Sequence, residues 1–392
     1  MKYSSLVPAL NFLRSVNIIY KKPKKTNILV FDRVGSTDLI PYFRGLQYEI
    51  LDVRGETING YVLLISLIKY FHKITFERYV DEFIKKSNPS CVITFIDNTE
   101  YFYKLKQYNP DIFFISIQNG WRDNVLFEIF SKSKLYKNNL QSDYLFCFGE
   151  AVGVIYGSFI KTKVVPIGSF KSNNKPIKKS NKSKITSVLF ISQYRVPVQS
   201  STGPCMPIGE RNVPWDQFYN SEFQLLPLLS DFCLDNNLIL KICGGSESEN
   251  EKEFFQRVLK KRNYEYKERL NTYSSYTEID NAEIIVFIDS TLGYEALGRG
   301  LKTAAFSIRG NDLDTDDRDF GFHANLPKKG PFWTNELNYS EVDRIFKFLL
   351  PLSNEEWINT SSSISNKLMS YNNNNTIFAN ILNQITKEYV QK

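Results

Sequence analysis

Length, composition and charge already exclude several classes of protein. The chain has 392 residues, 42% hydrophobic and 15% aromatic, with a net charge of +7. That length exceeds one typical domain, so we expect two domains with large cores. The sequence has no run of about 18 apolar residues, which argues against a transmembrane helix. The mild positive charge comes without a zinc, helix-turn-helix or RNP-like pattern, so no nucleic acid is expected as a partner.

The positions of the cysteines and histidines limit the redox and metal chemistry that can be expected of the protein. The cysteines form no CxxC pair, and Cys91, Cys147 and Cys243 lie in apolar runs. We therefore expect them to be buried in a reducing compartment. His72 and His323 are far apart in sequence, and we predict no metal and no cofactor. The start of the chain lacks a small-residue cleavage site, so the sequence predicts a cytoplasmic protein.

Lysines are concentrated at residues 21–25 and 171–184. Exposed lysine runs are usually solvated, but they also attract anionic membrane surfaces. Apolar residues within 10–19 fit one face of a short helix that would dock on the protein or lie on a membrane. A peripheral contact with the inner face of a membrane is therefore an open alternative.

The first half alternates short apolar runs with helical periods. Strands are predicted at residues 27–31, 49–53, 91–96, 112–117, 144–148 and 164–167, and helices at 59–71, 76–86 and 99–107. Strands separated by helical stretches of about 10–15 residues indicate βαβ units and a parallel sheet. Ligands of such sheets bind at the carboxyl ends of the strands. The polar residues at those ends are Asp32, Arg54, Asp97, Gln118 and Glu150.

The lysine-rich segment 171–184 predicts a linker, after which the pattern restarts. Strands are predicted at residues 187–192, 238–242, 284–288 and 303–307, and helices at 215–234, 249–261, 292–300, 340–350, 354–369 and 377–390. We therefore predict an α/β protein with two Rossmann-like domains facing a cleft, at residues 1–170 and 185–392. The last helix is free to return to the N-terminal domain. This arrangement resembles the GT-B architecture, in which the C-terminal domain takes an activated sugar and the N-terminal domain takes the acceptor.

The sequence F-I-D-S-T-L-G-Y-E-A-L-G-R at residues 287–299 contains the strongest local motif. An apolar run stops at Asp289, and Ser290, Thr291 and Gly293 then precede a helical pattern that contains Glu295. Hydroxyl residues at a helix start favour anions, because the first-turn N–H groups are unpaired and the helix dipole is positive there. Two interpretations stay open: a pocket for the phosphate and ribose of a nucleotide, or an ordinary turn between strand and helix.

Several motifs together resemble a family of bacterial surface carbohydrate biosynthesis proteins. They are R-G-E at 54–56, F-I-D-N at 95–98, I-Q-N-G-W-R at 117–122, P-I-G-S at 166–169, L-F-I-S-Q at 189–193 and D-S-T-L-G-Y-E-A-L-G-R-G at 289–300. The resemblance covers about residues 10–306. It implies a GT-B-type glycosyltransferase that moves a sugar from a nucleotide-activated donor to a surface glycan, such as O-antigen or capsule, or to its lipid-linked precursor. The serine-rich turn is similar to that of transferases using CMP-linked acidic sugars, and UDP- and GDP-sugars stay open.

Such a transfer needs a base for the acceptor hydroxyl and positive charge for the leaving phosphate. The predicted bases are Asp32, Glu56 and Asp97, although strand-end turns and pairing with arginine explain these residues equally well. The predicted donor-side residues are Ser290, Thr291, Gly293, Glu295, Gly244, Ser169, Gln193 and Arg195. The predicted acceptor-side residues are Gln118, Asn119, Gly120, Arg122 and Glu150.

Three alternatives remain at this stage. The acidic stretch at residues 312–319 lacks the pattern of a calcium loop and is predicted to be a solvated loop, with an edge of the donor site as the alternative. A nucleotide-sugar 2-epimerase shares the two-domain fold, although that chemistry usually relies on histidines. A non-catalytic protein that binds glycans or partner enzymes is the third possibility.

Overall fold

The computed structural model describes residues 16–55, 57–132, 140–177, 186–201, 203–209, 211–246, 249–271 and 273–390. The strands in chain order are β1 (Asn17–Ile19), β2 (Ile28–Phe31), β3 (Tyr48–Leu51), β4 (Thr57–Asn59), β5 (Cys91–Thr94), β6 (Phe113–Ile117), β7 (Gln141–Cys147), β8 (Lys161–Pro166), β9 (Ser187–Ile191), β10 (Val198–Ser200), β11 (Gly203–Ile208), β12 (Arg211–Pro214), β13 (Ile239–Cys243), β14 (Glu265–Lys267), β15 (Ile284–Phe287), β16 (Thr303–Phe306), β17 (Lys329–Gly330) and β18 (Trp333–Thr334).

The helices surround these strands. They are α1 (Ser36–Leu39), α2 (Gly60–Tyr70), α3 (Phe76–Ser87), α4 (Glu100–Tyr108), α5 (Asn124–Lys132), α6 (Glu150–Phe159), α7 (Phe170–Asn173), α8 (Trp215–Asp235), α9 (Glu249–Leu259), α10 (Ser274–Asn281), α11 (Thr291–Gly298), α12 (Arg309–Leu313), α13 (Tyr339–Leu349), α14 (Asn354–Leu368) and α15 (Thr376–Val390). No helix of the described ranges combines the length and apolarity needed to cross a membrane.

Two parallel sheets organise the molecule, one on either side of residues 171–184. The first has the strand order β3-β2-β5-β6-β7-β8, and every neighbouring pair is parallel. The second has the order β14-β13-β9-β15-β16-β18-β17, with an antiparallel pair only at its β17 edge. The central strands β2, β5 and β15 are buried along their whole length, which explains their continuous apolar sequence. The predicted α/β class with Rossmann-like sheets is confirmed.

The chain crosses between the two halves more than once. Helix α15 packs with the first half, because Phe378 lies 5.4 Å from Phe146 and 5.0 Å from Phe170 between ring centroids. The predicted linker begins with helix α7, whose buried Asn173 donates a hydrogen bond to Asn375 at 2.8 Å. Its residues 178–185 lie outside the described part of the chain. The first residues of this segment are therefore packed structure, not a solvated linker.

A three-stranded antiparallel unit formed by β10, β11 and β12 departs from the predicted pattern. It lies between β9 and helix α8 and contributes Met206, Pro207 and Ile208 to the wall of a cavity. Its strands are short and show no clean alternation of apolar residues, and β11 and β12 contain prolines, so the sequence predicts no strand there.

Candidate active site

A cavity of ≈ 520 Å³ lies where the carboxyl ends of the second sheet meet the loop after β6 of the first. Trp121 and Asp123 come from the first half, and every other residue of the wall comes from the second. The wall is lined by Trp121, Asp123, Ser192, Gln193, Tyr194, Arg195, Met206, Pro207, Ile208, Phe218, Gly245, Arg269, Asp289, Ser290, Thr291, Asp317 and Arg318. Both halves of the chain therefore build the site.

The predicted donor turn opens into this cavity. Ser290 is the N-cap residue of helix α11, and its side chain makes no capping hydrogen bond. Thr291 is the first helical residue, and its Oγ1 accepts a hydrogen bond from the Trp121 N–H at 3.3 Å. The unpaired N–H groups and the positive dipole end of α11 are thus available to an anion. The structure brings four of the predicted donor-side residues, Ser290, Thr291, Gln193 and Arg195, into the wall of one cavity, and their contact with a donor stays a prediction.

Three arginines lie in the cavity wall. Arg269 donates through Nη1 to the Gly245 carbonyl at 2.6 Å, while its Nε is buried without a hydrogen-bond partner among the described residues. Arg195 is exposed on the same wall. Arg318 forms an ion pair with Asp289 at 2.8 Å. Guanidinium groups around a helix start are suited to binding phosphate.

A buried ionic network supports the floor of the cavity. Arg309 is completely buried and pairs with Glu222 at 2.8 Å and Asp289 at 3.2 Å. Burial by itself raises the pKa of the Asp289 carboxyl, but the charges of Arg309 and Arg318 outweigh it and hold the pKa below its usual value. Gln193 joins the network through Oε1, which accepts from the Asp289 N–H at 3.4 Å. Asp289 is therefore an ionised anchor for arginines.

Glu295 lies behind this wall and does not line the cavity. Its carboxylate accepts a hydrogen bond from the Tyr276 hydroxyl at 2.8 Å, and burial raises its pKa. The hydroxyl of Ser169, which also caps helix α7, lies within hydrogen-bonding reach. Glu295 and Ser169 thus join the two halves near the connection at α7, and any contact with a ribose stays a prediction.

Two predicted donor glycines serve packing. A Cβ on Gly293 would lie 2.1 Å from Cγ of Phe287, so the glycine lets helix α11 approach strand β15. A Cβ on Gly244 would lie 2.6 Å from the Tyr266 hydroxyl oxygen. The neighbouring Gly245 lines the cavity instead. Gly244 and Gly293 thus allow close approaches between elements, and neither of them lines the cavity.

On the acceptor side, Asp97 and Arg122 form one buried unit. Asp97 is fully buried and accepts hydrogen bonds from Arg122 Nε at 2.7 Å, from the Asn119 N–H at 3.1 Å and from the Tyr156 hydroxyl. A buried carboxylate that accepts this many hydrogen bonds is held in a fixed position. The geometry therefore favours a positioning role for Asp97 over the predicted role of base.

Gln118 and Gly120 shape the same loop. Gln118 is buried, accepts from the Phe148 N–H at 2.9 Å and donates to the Gly120 carbonyl at 3.0 Å. These bonds fix the turn that carries Trp121 into the cavity. Gln118, Asn119, Gly120 and Arg122 thus shape the loop, and none of them lies in the cavity wall.

Two other predicted acidic residues, Asp32 and Glu150, do not line the cavity. Asp32 accepts from Arg54 Nε at 2.8 Å and from the Val34 N–H at 3.0 Å, as expected for a strand-end turn. Glu150 is exposed in the first turn of helix α6. Glu56 lies outside the described residues.

Sequence reasoning missed several residues of the wall. Asp123 directly follows the I-Q-N-G-W-R motif, and this position in the sequence could have marked it as a candidate site residue. The stretch predicted to be a solvated loop places Asp317 and Arg318 in the cavity wall, and its role as an edge of a donor site stays a prediction. Asp317 is held by the Thr315 hydroxyl at 2.8 Å and by the Asn124 N–H at 3.3 Å.

Stacked aromatic rings connect the two halves beside the cavity. The Trp121 and Tyr294 ring centroids are 3.7 Å apart at an angle of 7°. His323 lies 4.7 Å from Trp121, and neither of its buried ring nitrogens has a hydrogen-bond partner among the described residues. Burial lowers the pKa of His323 to about 4, so the ring is neutral near pH 7. No group of three metal-ligating side chains occurs within the described ranges.

Solved structures show which fold this is. A wall teichoic acid polymerase TagF variant superimposes with a TM-score of 0.52 and 9% identity, covering 95% of this chain and 91% of its own. A structure described as "putative UDP-N-acetylglucosamine 2-epimerase from Listeria monocytogenes" gives a TM-score of 0.54 and 12% identity, with coverage of 93% and 97%. S. aureus MnaA with UDP gives 0.50 and 14%, with coverage of 93% and 96%. The chain has the GT-B architecture, as predicted.

Sequence comparison identifies the family. Residues 115–386 match the family described as "putative O-antigen biosynthesis protein", and the chain belongs to that family. The predicted resemblance to surface carbohydrate biosynthesis proteins is thereby confirmed. No curated protein sequence matches the chain.

Proposed function

We propose that this protein is a glycosyltransferase that moves a sugar from a nucleotide-activated donor to a bacterial surface glycan or its lipid-linked precursor. One observation carries the proposal: Ser290 and Thr291 at the start of α11 face the same cavity as Arg195 and Arg269. A helix start surrounded by guanidinium groups suits the phosphates of a nucleotide. The family assignment supports a glycan product.

The leaving phosphate would be stabilised by these fixed positive groups. Arg195, Arg269 and the N–H groups of Ser290 and Thr291 bind the anion, while the Asp289–Arg309 pair holds the floor rigid. Positive groups held in place before the reaction stabilise charge that develops on the leaving group. We propose that no metal ion is needed for this step.

Asp123 is the proposed base. It lines the cavity and comes from the first half, the half that takes the acceptor in the GT-B architecture. The carboxylates of Asp32 and Asp97 accept hydrogen bonds from arginines outside the wall. A base must reach the acceptor hydroxyl directly or through one water. Of the carboxylates in the wall, Asp289 pairs with arginines and Asp317 accepts hydrogen bonds from Thr315 and Asn124, which leaves Asp123 as the proposed base.

The donor class is tested by thermal shift of the full chain with CMP, CDP, UDP, GDP and TDP. We expect one nucleotide to stabilise the protein and the Arg269→Gln variant to lose most of that stabilisation. Arg262→Gln is the control, because Arg262 pairs with Asp231 outside the cavity wall. If no nucleotide stabilises the protein, the donor site is wrong.

Transfer is then tested with nucleotide-sugars of the class that binds, in the presence of extracted lipid-linked glycan precursors and EDTA. Release of free nucleotide that depends on the acceptor supports the proposal. Isomerisation of the sugar with the nucleotide still attached would instead identify a 2-epimerase. Complete loss of turnover in EDTA, restored by Mg²⁺, would contradict the metal-independent step.

A further inference from the structure

One face of helix α2 is apolar and exposed to solvent. Leu64, Leu67, Ile68 and Phe71 are 58%, 43%, 76% and 75% exposed. Their spacing of three and four residues puts them on one face of the helix and at its end. Soluble proteins rarely expose large apolar residues in one continuous stripe unless the stripe contacts something. We call these four side chains the α2 stripe.

Lysines lie at both ends of the α2 stripe. Asn59, the N-cap residue of α2, donates to the Lys21 carbonyl at 2.7 Å, which places Lys21 and the following exposed Lys22 at the start of the helix. Lys69 lies within the helix, and the exposed Lys73 follows its end. The fringe of the stripe is therefore basic at both ends.

The nearby acidic groups offset part of this charge: Glu82 pairs with Lys69, and Glu49 lies near Lys21. Glu82 and Asp81 on the packed helix α3 are buried and paired with Lys69 and Lys85. Glu77 at the start of α3 is half-buried, and Lys22 and Lys73 form no ion pair with an acidic residue in the described part of the chain. An apolar stripe between lysines is complementary to a surface with an apolar interior and anionic headgroups.

We propose that the α2 stripe docks this protein on an anionic lipid membrane, with the apolar side chains in the interface and the lysines on the headgroups. An acidic protein surface would satisfy the lysines but not four exposed apolar side chains. A second copy of the chain would bring the two lysine sets together. An anionic lipid surface is complementary both to the apolar side chains and to the lysines.

The position of the stripe fits a membrane-linked substrate. Helix α2 begins just after the loop in which Arg54 reaches Asp32, at the carboxyl edge of the first sheet. The loop after β6 that enters the cavity leaves this same edge. The docking proposal itself holds whether or not the cavity transfers a sugar.

Vesicle co-sedimentation of the full chain tests the proposal. We expect binding to vesicles of phosphatidylcholine with phosphatidylglycerol and weak binding to phosphatidylcholine alone. Ile68→Ser with Phe71→Ser should lower the partition coefficient at least about tenfold, because two inserted apolar groups are lost. The control is Val154→Ser with Leu234→Ser, which removes two side chains of 75% and 73% exposure elsewhere on the surface and should leave binding unchanged.

Nucleotide-induced thermal shift should be the same in both double variants, which separates docking from the donor site. Equal vesicle binding by parent and stripe variant would overturn the proposal. A parent that ignores vesicles but forms a dimer by light scattering, with the stripe variant monomeric, would also overturn it. Equal binding to both vesicle types would contradict the role of the lysines.

Discussion

The arginines at the cavity differ in how much of their charge is already neutralised. Arg309 lies between Glu222 and Asp289, and Arg318 shares Asp289. Neither Arg195 nor Arg269 forms an ion pair with a carboxylate of the described residues. Free positive charge beside an open helix start is therefore concentrated at these two side chains, and they should dominate the affinity for a phosphate.

We expect Arg195→Gln and Arg269→Gln each to weaken nucleotide binding by about 1.5–3 kcal/mol, the range for hydrogen bonds to charged groups. Isothermal titration with the nucleotide found by thermal shift measures this directly. Arg262→Gln should bind like the parent. Unchanged affinity in both cavity variants would show that the phosphate binds elsewhere.

Asp123→Asn should lower turnover by about 10²–10⁴-fold, the usual range for a lost general base, while the nucleotide affinity stays within error of the parent. The amide keeps the size of the side chain but cannot accept the proton. Asp111→Asn, an exposed carboxylate of the same half, is the control. If Asp317→Asn and not Asp123→Asn shows this split between turnover and affinity, Asp317 is the base.

Among the elements, helix α11 owes its place to one glycine. The turn between β15 and α11 must bring the helix start close to the strand end for Ser290 and Thr291 to face the cavity. Gly293 allows this approach, because a side chain there would meet the Phe287 ring. The proposed phosphate site thus depends on a glycine that does not line the cavity.

Gly293→Ala should lower the free energy of unfolding by about 1–3 kcal/mol, the usual cost of forcing extra atoms into a packed core. Gly157→Ala is a matched helical control, since its Cβ would lie 3.7 Å from Val164, an ordinary contact. Urea unfolding measures both. Equal stability of the two variants would mean that α11 shifts easily and that the packing argument is wrong.

The sequence predicted the strands and helices better than the tertiary contacts between them. Strands β2, β5 and β15 are buried on both faces, so continuous apolar runs marked them to within one or two residues. Ser290 and Thr291 could be predicted as candidate site residues because ligands of parallel sheets bind at the carboxyl ends of the strands. Asp123 and Arg269 are 146 positions apart, and only tertiary packing brings both to the cavity. The periodicity of apolar residues in the sequence does not show that two such distant residues line the same cavity.

At the scale of the whole molecule, the two halves are joined by chain that is itself packed. Arg299 of the second half donates to the carbonyls of Ser172 and Lys175, each at 3.0 Å, and pairs with Asp280. Helix α15 then returns to the first half. The cavity therefore lies between two bodies held by buried contacts, so its shape depends on residues far from it in sequence.

The return of helix α15 makes the first half depend on the end of the chain. Phe378 is fully buried against Phe146 and Phe170, so Phe378→Ala should cost about 3–5 kcal/mol of stability. Ile377→Ala, the neighbouring exposed position, is the control and should cost far less. Hydrogen exchange locates the effect: protection should fall in strands β5, β6 and β7 and stay near the parental level in β9 and β15. Removing a buried ring frees the amides of the sheet against which the ring packs. If protection were lost only in the second sheet, α15 would not support the first half.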